Sequence, residues 1–455
     1  MWGYVLYSTF ARYAIYPLLE MYRRQGTLEH LRELEKTQWL SADEIEKLQW
    51  KKLKKLLEYA YTNVPFYNHA FETINITPKD IATPDDFRRL PLLDKEEIRN
   101  NISHIVSSKY EKKDLISNST GGSTGLNLNF FNDAKRSGYA NAIALRCKYW
   151  AGLEIGEKSA SLWGSTFDTS LQSNLKNRIY NKLFRRLFLS SYSLSKQNML
   201  LYATKLIRHK PKVIIGYPSA LYLFAKFLEK NGIGGINPKS IISTAELLYD
   251  YQRELIESIF QCEVFNAYGC REFTTIAQEC REHRGMHINA EHVYVECLKG
   301  NGEPASPGES GELVITDLDN YGMPFIRYRI SDIGVLSDRK CNCGRGLPIL
   351  ETIEGRAFDI IVGANGRAVG GTFWTLLLRT GIKGVKQFQV VQESLGEISI
   401  RIVPDENFKQ VQLETLRRRI RKYLGEELKI DLQIVDEIPV SKSGKFKFVT
   451  SKVAH

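Results

Sequence analysis

Val213-Ile214-Ile215-Gly216, Ile241-Ile242-Ser243 and Val264-Phe265-Asn266 are short apolar runs separated by the helix-length stretches Ala220–Lys230 and Tyr249–Phe260. Two or three consecutive apolar, largely β-branched residues in each are too few for a helix and suit a buried strand. Strands of that kind alternating with amphipathic helices predict a largely parallel sheet in an α/β architecture. Toward the N-terminus the alternation continues through a helix expected over Leu171–Leu187 and a strand over Ser159–Trp163.

Further out, the pattern changes in both directions. Helical spacing dominates as far as Ile105, and Ser41-Ala-Asp-Glu44 reads as a capping box ahead of Ile45 and Leu48. From Glu291 onward short strands and turns take over, at Val293–Cys297, Glu312–Thr316 and Phe325–Arg329, with Ser306-Pro307-Gly308 marking a tight connection. After Gly355-Arg356, strands at Phe388–Val391, Ile398–Val403 and Leu432–Val435 surround a helix at Val411–Leu424. The expected fold is α/β: residues 1–355 form a large N-terminal domain of mixed sheets with helices plus a strand-rich subdomain, and residues 356–455 a small α+β domain.

With 455 residues, 43% of them hydrophobic, the chain exceeds one ordinary core and two or three domains are expected. The net charge of +11 suits an anionic partner, but the basic runs 51–55 and 417–422 sit on helical patterns, so a solvated helix face explains them. No nucleic-acid-binding motif accompanies the charge, and no nucleic-acid partner is expected. Seven cysteines, an odd number, and the lack of a basic segment leading into an apolar one point to the cytoplasm. Residues 1–21 are rich in aromatics and leucine but broken by Arg12 and Glu20. They predict an amphipathic helix packed on the protein, with weak peripheral membrane contact as the alternative.

Ser119-Thr120-Gly121-Gly122-Ser123-Thr124-Gly125 precedes a strand pattern at Leu128–Phe131. Its glycines permit a tight turn with inward N–H groups and its hydroxyls add donors, so it can wrap a polyphosphate; no Gly-Lys-Ser/Thr follows, so it is not a Walker loop. Five more motifs follow in order: Ser243-Thr244-Ala245-Glu246, Asn266-Ala267-Tyr268-Gly269-Cys270-Arg271-Glu272, Pro324–Asp332, Gly355-Arg356-Ala357-Phe358-Asp359 and Pro439–Lys445. The series resembles the adenylate-forming superfamily of acyl-CoA synthetases, nonribosomal-peptide adenylation domains and luciferases. Within it the chain is similar to the phenylacetate–CoA ligase branch, which includes capsular-polysaccharide biosynthesis homologues.

That resemblance implies ATP-dependent activation of a carboxylic acid to an acyl-adenylate, followed by transfer to coenzyme A. It implies that residues 119–125 bind phosphate, that Ala245 and Glu246 border the adenine pocket, and that Asn266, Tyr268 and Gly269 form the adenine site. Glu272 would ligate Mg²⁺, Asp332 the ribose hydroxyls and Arg356 the ribose or phosphate. Lys445, on a mobile C-terminal domain, would enter the site during adenylation. Asn127, Arg271, Ser331 and Phe358 stand where the superfamily commonly has proline, threonine, glycine and a hinge Asp or Lys. Transfer to a sugar amine or hydroxyl, or adenylylation of a cofactor, are the alternative reactions, and a homodimer stays open. Trp163, Tyr217 and Phe273 are candidate walls for the acid.

Cys341-Asn342-Cys343-Gly344 and Cys280, with His283 and His287 close behind it, offer three thiolates and an imidazole for a closed structural Zn²⁺ site. Spacing permits either histidine; Gly285-Met286-His287-Ile288 resembles the relatives' histidine segment and favours His287.

Overall fold

The computed structural model describes residues 7–120, 128–163, 175–191, 194–356, 361–365, 368–369, 374, 377–378, 382–438 and 448–453. A hairpin of β1 (Ile116–Ser119) and β2 (Asn129–Asn132) stands apart from the main sheet. The main sheet contains β3 (Ser159–Trp163), β4 (Arg186–Ser190), β5 (Val213–Gly216), β6 (Ser240–Thr244), β7 (Glu263–Cys270) and β8 (Thr274–Glu279). It continues with β9 (Met286–Ile288), β10 (Val293–Leu298), β11 (Ser310–Asp317), β12 (Tyr328–Ser337) and β13 (Ile349–Arg356). Their spatial order is β10-β11-β12-β13-β9-β8-β7-β6-β5-β3-β4.

From β4 to β7 every pairing is parallel, and from β7 to β10 every pairing is antiparallel. The strand-rich part is therefore continuous with the α/β part, because β8 and β9 hydrogen-bond β7 to β13. In the parallel half, successive side chains point to opposite faces and both faces are covered. Ile214, Ile241 and Val264 pack with Leu206, Leu221, Phe224 and Phe260 on one side. Val213, Ile242 and Phe265 pack with Ala151 and Leu153 on the other.

Two expected elements shift. The helix expected over Leu171–Leu187 spans Leu175–Leu183, residues 171–174 lie outside the described residues, and the chain enters β4 at Arg186 after a left-handed Arg185, φ 51°. Leu187, expected as the last residue of that helix, instead pairs with Ala160, and Phe188 and Leu189 continue the register with Ser161 and Leu162. The strand expected over Phe325–Arg329 begins at Tyr328, because Phe325 and Ile326 are buried in the core and Arg327 turns the chain at φ 52°.

The antiparallel half carries its charges inside. Arg146 donates to Glu291 at 2.6 and 3.0 Å and to the Asn289 side chain at 2.6 Å, while Thr37 donates to Glu291 at 2.9 Å. Arg136 meets Asp317 at 2.9 Å, Arg327 meets Glu296 at 3.1 Å, and Asp319 receives Lys52 at 2.7 Å and His292 at 2.9 Å. Helix Ala42–Asn63, opened by the Ser41/Glu44 capping box, brings Lys52 to that cluster.

Toward the C-terminus a hairpin of β14 (Ile361–Val362) and β15 (Ala368–Val369) precedes a four-stranded sheet ordered β18-β17-β16-β19. Its strands are β16 (Val385–Ser394), β17 (Glu397–Pro404), β18 (Lys429–Ile434) and β19 (Val449–Ser451). Helix Gln412–Leu424 packs Leu416, Ile420 and Leu424 onto Phe388, Ile398 and Ile400 of that sheet, a core of its own. Among the described residues no helix is long and apolar enough to cross a membrane.

Candidate active site

Asn266 to Glu272 lie where the parallel half of the sheet ends and the antiparallel half begins. The Asn266 N–H donates to Glu279 at 2.8 Å, tying β7 to β8 at the base of their hairpin. Gly269 is required by the close approach of the two strands, since a Cβ there would lie 1.9 Å from the Thr274 carbonyl oxygen. Beyond it the Tyr268 phenol donates to Asp332 Oδ2 at 2.7 Å, so the expected adenine and ribose residues, 64 positions apart, are in contact. Asp332 lies opposite Arg356 in the β12–β13 register, which brings a third motif to the same place through the backbone. Ser331, just before Asp332, has φ 65°, the left-handed region that favours the glycine common at that position in the superfamily.

Glu272 is buried, and its carboxylate accepts from the Tyr328 phenol at 3.0 Å. Arg136 donates to the Glu272 carbonyl while pairing with Asp317, so helix Ala134–Trp150 fixes the turn that carries the carboxylate. That helix is itself set by its N-cap, Asp133, which accepts from the N–H groups of Arg136, Tyr321 and Gly322 at 2.8–3.1 Å. Burial and the nearby Glu272 carboxylate push the Cys270 thiol well above its ordinary value, which leaves it protonated and unsuited to act as a nucleophile. The same two causes hold the Tyr328 phenol protonated, as a donor toward Glu272.

The phosphate-loop candidate is anchored at its base. Ser119 pairs with Asn129 in the hairpin register, the Thr120 N–H donates to the Leu128 carbonyl, and the Leu128 N–H donates to Thr120 Oγ1, both at 2.9 Å. Gly121, Gly122, Ser123, Thr124, Gly125 and Asn127 lie outside the described residues, as do Phe358 and Lys445. Ala245 has φ 70°, and Glu246 Oε2 accepts from the Ser219 N–H at 3.1 Å, at the N-terminus of helix Pro218–Lys230. Trp163 and Tyr217 are in ring contact, with centroids 4.5 Å apart. Phe273 is a core residue packed on Phe325 and Tyr328, not a wall of a pocket: its backbone follows the buried Glu272 and its ring points into the apolar layer.

Sequence reasoning gave no role to Tyr328 or Arg136. Tyr328 stands inside a quoted motif, at the first residue of β12, and its burial there is the signal that its residue type alone did not carry. Arg136 left no such trace, since its partners lie 136 and 181 positions away.

At the far edge of β8 and β9, Cys280, His287, Cys341 and Cys343 present donor atoms all within 4.8 Å of one another. Cys280 Sγ lies 3.6 Å from Cys341 Sγ and Cys343 Sγ 3.3 Å from His287 Nε2. Tetrahedral zinc with sulfur ligands at about 2.3 Å sets neighbouring sulfurs about 3.8 Å apart, so the donor set fits. His287 Nδ1 faces the Leu347 carbonyl at 3.4 Å, which leaves Nε2 for the cluster. His283 turns away to Glu279 at 2.9 Å. Burial raises the Cys280 thiol to about 12, and it likewise opposes ionisation of Cys343, where the Arg345 backbone N–H prevails and holds the thiol below its usual value.

Residues 361–452 match the family model described as CapK C-terminal domain. The chain is 25% identical over 409 residues to Protein CapK of Staphylococcus aureus, covering 89% of each chain. It is 25% identical over 442 residues to a phenylacetate-coenzyme A ligase of Thermus thermophilus, covering 90% of this chain and 97% of that one. Among solved structures, 2-hydroxyisobutyryl-CoA ligase in the postadenylation state matches with a TM-score of 0.74 at 19% identity over 92% of each chain, a likeness of fold.

Proposed function

We propose that this chain, which belongs to the adenylate-forming superfamily on its phenylacetate–CoA ligase branch, activates a carboxylic acid with ATP and passes the acyl group to coenzyme A. The contact between Tyr268 and Asp332, beside the buried Glu272, carries this reading. An aromatic face can stack on a purine, and a two-oxygen acceptor next to it suits the adjacent hydroxyls of the attached ribose. Glu272, oriented by Tyr328, has the hard oxygen donor that Mg²⁺ requires, and the bound cation would neutralise triphosphate charge. Residues 119–125 then bind the departing phosphates through backbone N–H groups and hydroxyls. The substrate carboxylate attacks the α-phosphorus, the bond to the β-phosphate oxygen breaks, and pyrophosphate leaves. Lys445 stabilises the charge of that step, and coenzyme A then attacks the acyl carbon with AMP as leaving group. No protein nucleophile is needed, in keeping with a protonated Cys270.

A division near residue 355 into a large domain and a mobile small one accommodates Lys445 serving the first half-reaction alone. Pyrophosphate release over a panel of carboxylic acids, with and without coenzyme A, tests the reading, and Lys445→Ala should abolish acyl-adenylate formation while sparing thioester formation from supplied acyl-adenylate. Release with no acid in the panel, or thioester formation lost to the same degree, would overturn it. The match to the CapK C-terminal domain favours a second reading, acyl transfer to a sugar amine or hydroxyl, which predicts pyrophosphate release without thioester product.

Cys280, His287, Cys341 and Cys343 would hold a structural zinc. Its neighbour Arg345 reaches Gln38 at 2.9 Å and lies 4.6 Å from the rings of Trp39 and Trp150, so the metal would tie the loops after β8 and β12 to the N-terminal helices. Elemental analysis should find about one zinc per chain.

A further inference from the structure

Residues 7–23 are helical, with a π turn at Ala11–Ile15. The inner face packs Ile15, Tyr16 and Leu19 against Leu31, Ile143 and Phe184. An amphipathic helix on a protein surface ordinarily turns polar residues outward. Here the outer face carries Phe10, Tyr13, Leu18, Met21 and Tyr22, with Tyr13 71% and Met21 75% exposed. Helix Leu175–Leu183 repeats the arrangement: Tyr180 and Leu183 face that same core, while Leu175, 68% exposed, and Ile179 face out. The two helices adjoin, since Tyr16 meets Phe184 edge-on at 5.7 Å and the Arg23 guanidinium lies 5.1 Å from the Tyr180 ring.

Charge around this apolar surface is predominantly positive. Arg23, Arg24, Arg178 and Lys182 are exposed, and Arg186 lies over the Tyr180 ring. Residues 175–191 contain no acidic residue, and the one carboxylate within residues 7–24, Glu20, accepts from the Gln25 N–H. Arg12 is paired with Glu154. A second copy of this chain docking through the same surface would set arginines against arginines. Apolar and aromatic residues ringed by cations complement an anionic lipid headgroup layer.

We propose that the outer faces of residues 7–23 and Leu175–Leu183 together dock this chain on anionic phospholipid bilayers. Phe10, Tyr13, Leu18, Met21, Leu175 and Ile179 enter the boundary between headgroups and acyl chains, and the basic residues meet lipid phosphates. The inference is independent of the ligase reading.

The full chain should co-sediment with phosphatidylcholine vesicles containing phosphatidylglycerol, far less with phosphatidylcholine alone, and be released by high salt. Removing one surface cation should weaken binding roughly fivefold, so Arg178→Ala/Lys182→Ala should cost roughly 30-fold while leaving the melting temperature unchanged. Met21→Asp should release the protein even at low salt. Equal binding to both vesicle types, no binding to either, or a concentration-dependent dimer that the same substitutions dissociate would overturn the proposal.

Discussion

On one side of β7, strands β3 to β6 are held by Ile214, Ile241, Leu221 and Phe260 and their neighbours, an apolar layer on each face. On the other side the sheet is threaded by Arg146–Glu291, Arg136–Asp317, Arg327–Glu296 and Lys52–Asp319–His292. Among the described residues, every ion pair with both side chains at most 6% exposed belongs to this antiparallel half. Apolar packing loses stability in proportion to the atoms removed, whereas a buried ion pair fails abruptly when one partner is lost, because the other charge stays without compensation. The nucleotide candidates sit at the border: β7 supplies Tyr268 from the apolar half, and β12 supplies Asp332 from the charged half.

The sharpest test of this contrast is Arg146→Met, which leaves Glu291 buried and uncompensated and should cost about 3–5 kcal/mol in denaturant unfolding. Arg146→Met/Glu291→Leu should recover a large part of that loss; if the double variant is no better than the single one, the charge explanation fails. In the apolar half, Leu221→Ala should cost about 3 kcal/mol, with no recovery available from a second substitution. A loss that depended on pH would break the comparison.

Acid separates the halves more gently. Burial opposes ionisation of Asp319, but Lys52 and the hydrogen bond from His292 prevail and lower its pKa from 3.8 to about 2. A carboxylate with a depressed folded-state pKa contributes stability above its unfolded value and loses it as pH falls through the folded one. Asp319 should thus contribute about 2 kcal/mol at neutral pH that disappears between about pH 4 and pH 2. Asp319→Asn should flatten the stability profile there, which urea titrations at several pH values would show.

The smallest effect lies at the border. Ser331→Gly relieves a left-handed residue at φ 65° and should raise stability by up to about 1 kcal/mol, unless the added freedom of the unfolded chain offsets it. A clear loss of stability would mean that the serine side chain holds the turn before Asp332.

Legibility followed the same division. Val213–Gly216, Ile241–Ser243 and Val264–Asn266 could be read as strands because a parallel strand covered on both faces must be apolar throughout, and that requirement is local. The helix end at Leu187 misled for the converse reason: an apolar residue next to a helical pattern extends it, and only pairing with Ala160 makes Leu187 part of a strand. Residue types offered the three cysteines and either histidine as candidate ligands, and resemblance alone favoured His287; the fold aims that imidazole at the thiols and His283 at Glu279.

By itself the sequence determined the alternation that builds the parallel half, the order of the six candidate motifs and the donor chemistry of the cysteine cluster, because residue type and short-range spacing carry that information. Tertiary structure alone decided that the strand-rich part continues the same sheet, that Tyr328 orients Glu272, and that Arg146 meets Glu291 across 145 positions. A buried charge is tolerated only where a partner of opposite sign arrives, and a single arginine or glutamate carries no mark of which distant residue that partner will be.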